Sequence, residues 1–184
     1  MSLSVSITLR RSMKRWIASG MRVSGTTRKS RKRWKNTSER LIMSEKRKIV
    51  LDTNCLIASL SRHSVYYPVW SDFQSGKYLL CVSNEILEEY QEIIEQKTSS
   101  IVAKNVIDLL LKSKNVEFVT PHFKFGLIVK DHDDDKFVDC AFAANATYIV
   151  SDDSHFEVLK DIEFPRLMVL KLKEFLNLLQ TEDK

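Results

Sequence analysis

Carboxylates stand out among the residues able to do chemistry. Asp52 closes a short apolar run, Asp131-His132-Asp133-Asp134-Asp135 forms a dense acidic cluster, and Asp153 follows a later apolar run. Between them, Glu85, Glu88, Glu89, Glu92 and Glu95 crowd a single segment. Gathering carboxylates is electrostatically costly unless a cation sits among them. An oxygen-rich set, with no His or Cys at ligand spacing, suits a hard divalent ion such as Mg²⁺ or Mn²⁺, which keeps waters and binds substrate phosphates. Such ions activate water and stabilise the leaving oxygen of a phosphodiester.

The elements that must position these acids alternate strand and helix. Lys48 to Leu51 reads as a buried strand, followed by Thr53-Asn54 with helix-capping chemistry. A helix over 64–75 ends at Gly76, and Tyr78 to Val82 forms the second strand. Ser83 caps a helix with Ile86, Leu87, Tyr90, Ile93 and Ile94 at helical spacing. Residues 100–113 form another helix and 116–119 a strand. Asp131 opens a helix through Asn145, 147–150 is a strand, 166–170 the last strand and 171–180 the last helix. The pattern predicts an α/β fold: three layers, α/β/α, around a central parallel sheet. In such sheets, function collects at the carboxyl ends of the strands, where Asp52 and Asp153 fall.

Helical geometry selects among the remaining acids. At roughly 100° per residue, Glu85, Glu88, Glu92 and Glu95 lie opposite the apolar side of their helix, while Glu89 sits near its edge. On the later helix, Phe137, Val138, Cys140, Ala141 and Ala144 define the buried side. Asp134 projects onto its middle, Asp135 lies well off it and Asp139 points away. The inward acids are therefore Asp52, Glu89, Asp134 and Asp153, with no Lys or Arg obviously supplied to neutralise them. Each has a plainer reading: Asp52 as a helix cap, Glu89 as a solvated helix residue, the 131–135 run as dipole-stabilised helix start, Asp153 as a turn residue. Four independent placements at one sheet edge favour the metal site over four separate explanations.

Four segments carry a family resemblance: Ile49-Val50-Leu51-Asp52-Thr53-Asn54, Ser83-Asn84-Glu85-Ile86-Leu87-Glu88-Glu89-Tyr90, Asp133-Asp134-Asp135-Lys136-Phe137-Val138-Asp139-Cys140-Ala141 and Ile149-Val150-Ser151-Asp152-Asp153. In this order, over residues 47–160, they resemble the PIN domain, and within it the branch of toxin components of toxin–antitoxin pairs. The resemblance implies an α/β/α nuclease that cleaves single-stranded RNA with Mg²⁺ or Mn²⁺. It implies metal-binding, catalytic roles for Asp52, Glu89, Asp134 and Asp153, with support from Thr53, Asn54, Asp135 and Ser151. Ser151 stands where Thr is common, keeping the hydroxyl, and the acidic crowding leaves the third ligand open between Asp134 and Asp135. An antitoxin partner and a homodimer follow from the resemblance only.

Charge divides the chain. Residues 1–42 hold 12 Lys/Arg and one acid, Glu39, a net +11; residues 43–184 hold 17 Lys/Arg against 23 acids, a net −6. The basic segment, dense from Arg28 to Lys35, has too little apolar content to order itself. It reads as a nucleic-acid-binding arm, a transit peptide, a poor twin-arginine signal or a non-native extension ahead of a nuclease domain over 43–184. Cys55, Cys81 and Cys140 form no C-x-x-C pair and read as small reduced core residues, which points to a cytoplasmic protein. No run approaches the ~18 apolar residues of a membrane span.

Other classes fare worse. The phosphatase signature needs Asp-x-Asp, but Asp52 is followed by Thr53-Asn54, and receiver domains need acids that Ile49-Val50-Leu51 does not offer. Gly76 and Gly126 are the only glycines after residue 42, so no Gly-rich phosphate loop exists. A catalytically inactive module that binds RNA or a protein partner is the remaining alternative. All four histidines, His63, His122, His132 and His155, read mainly as surface or loop residues; His132 and His155 fall near the acids, where contact with a phosphate is the lesser reading.

Overall fold

The computed structural model describes residues 46–128 and 131–182; the basic segment 1–42, and with it the expectation of its disorder, lies outside them. Five parallel strands form one sheet in the order β3-β2-β1-β4-β5: β1 (Arg47–Leu51), β2 (Tyr78–Val82), β3 (Val116–Phe118), β4 (Tyr148–Val150) and β5 (Val169–Leu170). Ile49 lies beside Leu80 on one flank and Tyr148 on the other, and Leu51 beside Val150. Central β1 is covered on both faces, so its end reads as an unbroken apolar run, Ile49-Val50-Leu51, all buried.

Among the described residues, six helices accompany the sheet: α1 (Thr53–Leu60), α2 (Tyr67–Ser75), α3 (Asn84–Lys97), α4 (Ser100–Lys112), α5 (Asp135–Ala144) and α6 (Leu172–Glu182). Local chemistry sets their ends. The side chains of Asp52, Ser83 and Ser99 accept N–H groups of the first turns of α1, α3 and α4. Gly76 ends α2 at φ 82°, where a Cβ would meet Asn115 Oδ1 at 2.8 Å. Tyr78 of β2 packs between Phe73 of α2 and Phe175 of α6, with ring centroids 6.0 and 5.2 Å away. Cys81, on the opposite face of β2, lies beside Cys140 of α5. Helices thus cover both faces, which makes the expected three layers. All three cysteines are free and buried, and burial pushes each thiol up to about 12, far from reactive thiolate.

The structure departs from the sequence reading at element edges. The helix expected from residue 64 begins at Tyr67, because the Ser64 hydroxyl accepts the Tyr66 N–H in a preceding turn and Pro68 suits a first turn. The strand expected over 166–170 is reduced to Val169–Leu170. A 3-10 turn, His132–Asp134, precedes α5, and a 3-10 stretch over Ser154–Asp161, absent from the sequence reading, buries Phe156 and Leu159.

Connections from β1 and β4 leave in opposite directions along the sheet, toward β2 and β5 respectively. That reversal opens a crevice at the carboxyl ends of these two adjacent strands. Asp52 directly follows β1, and Ser151-Asp152-Asp153 directly follow β4.

Candidate active site

Asp52 performs the capping role open to it and also sits at the crevice. Its Oδ1 accepts the Asn54 N–H at 3.2 Å and its Oδ2 accepts the Ser151 hydroxyl at 2.7 Å. It is 5% exposed, and burial pushes its carboxyl above the usual range. The Ser151 and Asn54 hydrogen bonds oppose that shift, while the charges of Glu89 and Asp153 add to it. Ser151, fully buried, also accepts the Asp153 N–H at 3.0 Å.

Glu89 comes from α3, which Tyr90 anchors by donating its buried hydroxyl to the Leu51 carbonyl at the end of β1. Glu89 Oε1 accepts the Thr53 hydroxyl at 2.5 Å, and Oε2 pairs with the Lys136 ammonium. The reading that no cation is supplied to the acids is therefore corrected. Lys136, on the second residue of α5, reaches across to α3 and is tucked in the groove, a contact that spacing along one helix cannot reveal. Asn54, another supporting candidate, accepts from Lys97 Nζ at 2.7 Å.

Asp134 ends the 3-10 turn before α5. Burial first, then the charges of Asp131, Asp52 and Asp153, push its carboxyl up to about 6 against an opposing hydrogen bond from His155. His155 Nδ1 stands 3.3 Å from Asp134 Oδ2, 3.5 Å from Asp153 Oδ1 and 4.0 Å from Asp131 Oδ2. Asp153 Oδ1 also accepts the His155 N–H at 2.8 Å, capping the 3-10 stretch. Asp131, Asp134 and His155 each offer a ligand atom, all within 4.8 Å of one another. Asp131 joins the site beyond the four acids that the sequence selects, and His155, which the sequence places near Asp153, stands against it.

Asp135 and Asp139 require a second correction. The helical wheel puts Asp135 off the buried side and Asp139 pointing away, yet both are buried. Asp135 Oδ1 accepts the Ile128 N–H at 2.9 Å, and Asp139 Oδ1 the Phe125 N–H at 3.0 Å. A wheel assumes one buried face, against the sheet; here the segment through Phe125 and Ile128 covers α5 from another side. Asp135 further faces His132 Nδ1 at 3.3 Å.

Asp52, Glu89, Asp134 and Asp153 thus share one electrostatic neighbourhood, reached from β1, α3, the turn before α5 and the end of β4. A cavity of about 910 Å³ lies alongside, lined by Glu85, Glu88, Glu89, Asp131, Asp134 and Lys136 among others. The donor set is carboxylate oxygen with one imidazole nitrogen at its edge, and two of its acids, Asp52 and Asp134, have carboxyls raised by burial and by neighbouring carboxylates. That is a fit for a hard divalent cation, whose charge offsets the mutual repulsion.

Residues 48–155 match the family model described as PIN domain, more than half of the chain. The chain belongs to the PIN domain family. The family is one of nucleases, hydrolases acting on nucleic acid. Solved structures similar to this PIN domain include VapBC2 from Rickettsia felis bound to a DNA fragment from their promoter, at 17% identity and TM-score 0.48, covering 67% of this chain and 98% of that one. The PIN domain endonuclease Utp24 aligns at 15% identity and TM-score 0.43 over 67% of this chain and 84% of its own. Mycobacterium tuberculosis VapC20, a Sarcin-Ricin loop cleaving toxin, aligns at 15% identity and TM-score 0.44 over 65% and 98%. No curated protein sequence matches the chain.

Proposed function

We propose that this PIN domain is a divalent-metal-dependent ribonuclease that hydrolyses phosphodiester bonds of single-stranded RNA, and that it is the toxin of a toxin–antitoxin pair. The observation that carries the nuclease reading is the convergence of Asp52, Glu89, Asp134 and Asp153, with Asp134 pushed up to about 6 among its acidic neighbours. These four residues would hold Mg²⁺ or Mn²⁺. Asp134 is favoured over Asp135 as the third ligand, because Asp134 faces Asp52 and Asp153 whereas Asp135 is engaged with Ile128 and His132. When bound, the ion lowers the pKa of an attacking water and offsets charge on the scissile phosphate.

The chain's own groups do the positioning. Ser151 and the Asn54 N–H orient the two oxygens of Asp52, Thr53 orients Glu89, and His155 orients Asp134 and Asp153. Lys97, on Asn54, and Lys124, an exposed lysine paired with Glu85, supply positive charge at the rim for the RNA backbone. An antitoxin protein and a second copy of the chain are the proposed partners, and the cytoplasm the proposed location; among the described residues no helix is long and apolar enough to cross a membrane.

The deciding experiment incubates wild type and Asp52→Asn with labelled single-stranded RNA in Mg²⁺, Mn²⁺ or EDTA. Cleavage that requires metal and disappears in folded Asp52→Asn is expected. Equal behaviour of the two proteins would instead favour an inactive module that binds RNA or a partner.

A further inference from the structure

Lys136 is placed unlike the other lysines near the cavity. Its side chain is 18% exposed, whereas that of Lys124 is 80% exposed and screened by solvent. A cation so far withdrawn from water needs a matched counter-charge, and Glu89, 24% exposed, supplies it. The ammonium also lies 5.7 Å from the centre of the Phe137 ring, a second, weaker hold. Glu89 consequently has both oxygens engaged without any metal: Oε1 by Thr53 and Oε2 by Lys136. The nearby carboxylates of Asp52 and Asp134 are raised first by burial and then by neighbouring acids, and Lys136 is the ammonium set against this group of carboxylates.

We propose that Lys136 is a built-in counter-cation that occupies Glu89 Oε2 in the metal-free protein and competes with the divalent ion for that carboxylate. The proposal rests on the reading of Glu89 as a metal ligand. Two physical points make exchange workable. The ammonium is a point charge on a flexible four-carbon stem, so it can leave Glu89 by rotamer changes alone. The adjoining cavity of about 910 Å³ gives it solvent to move into. Lys136 therefore keeps the acid cluster folded without metal, and sets the metal concentration at which the site fills. It is a positioning residue, acting through Glu89.

The test titrates the full chain, stripped with EDTA, with Mn²⁺ alone by calorimetry, and records thermal melts with and without saturating Mn²⁺. Lys136→Met is expected to bind Mn²⁺ about tenfold more tightly than wild type, or ~1.4 kcal/mol. Its Tm should fall below wild type in EDTA, with the deficit closing at saturating Mn²⁺. Lys136→Gln should shift in the same direction, and Lys136→Arg should restore the wild-type Kd. Asp52→Asn reports separately whether the titrated ion sits in this site, by weakening its binding. If Asp52→Asn weakens binding but Lys136→Met leaves Kd unchanged or weaker, the counter-cation role alone fails. A Tm deficit that persists at saturating Mn²⁺ also overturns it, since Lys136 is then only structural. If wild-type binding ignores Asp52→Asn, the metal-site reading falls and this inference with it.

Discussion

The Ser151 hydroxyl donates to Asp52 Oδ2 and accepts the Asp153 N–H, so one small side chain ties the end of β1 to the end of β4. Groups that orient metal ligands typically contribute about 10- to 100-fold in affinity or activity. Ser151→Ala should therefore lower RNA cleavage by about that factor in a steady-state assay, and Ser151→Thr, which keeps the hydroxyl, should retain most of it. Asp134 makes a pH-dependent pair of predictions. Its folded carboxyl, at about 6, lies above the ordinary 3.8 of a free aspartate, so in that interval the fold holds more protons than the unfolded chain. The metal-free protein consequently gains stability from this group at low pH and loses it as pH rises through about 6. Asp134→Asn should raise the EDTA Tm at pH 7.5, with the gain vanishing near pH 4, as melts across pH would record. Mn²⁺ affinity of the wild type should weaken as pH drops below about 6, where Asp134 takes up a proton.

Elements deliver these side chains through contacts that span long stretches of chain. Tyr90 hangs α3 on the Leu51 carbonyl, and Glu89 is the neighbouring residue. Tyr90→Phe removes a buried hydrogen bond and leaves the carbonyl unpartnered, a cost of about 1–2 kcal/mol that chemical denaturation measures. Asp139 holds the Phe125 N–H against α5; Asp139→Ala should speed hydrogen exchange at Phe125, while Asp139→Asn, which keeps the acceptor, should not. Strands β1, β2 and β4 were legible because fully buried parallel strands are continuous apolar runs, and α3 because its apolar residues repeat at helical spacing. The true extent of β5, shorter than the 166–170 strand expected, and the 3-10 stretch over 154–161 were not, since two residues or a 3-10 run leave no periodic signature. Asp135 and Asp139 were misplaced for a related reason: periodicity registers one packed face, and the segment crossing the other is irregular.

At the scale of the molecule, an acidic catalytic region must attract a polyanion. Residues 43–184 carry a net −6, and residues 1–42 a net +11. Deleting 1–42 should flatten the salt dependence of RNA affinity, measured by anisotropy between low and moderate salt, because fewer lysines and arginines then release phosphate counterions. EDTA should weaken RNA binding further in the shortened chain, where the divalent ion is a larger part of the attraction. The sequence by itself determined the α/β layering and the order of the motifs, because apolar periodicity and strand-end position are local properties of the chain. Only the tertiary structure decided that Lys136 pairs with Glu89, that His155 stands against Asp134, and that Asp135 and Asp139 turn inward. Those are contacts between elements whose relative placement follows from how the sheet and helices pack, which no spacing along a single helix or strand encodes.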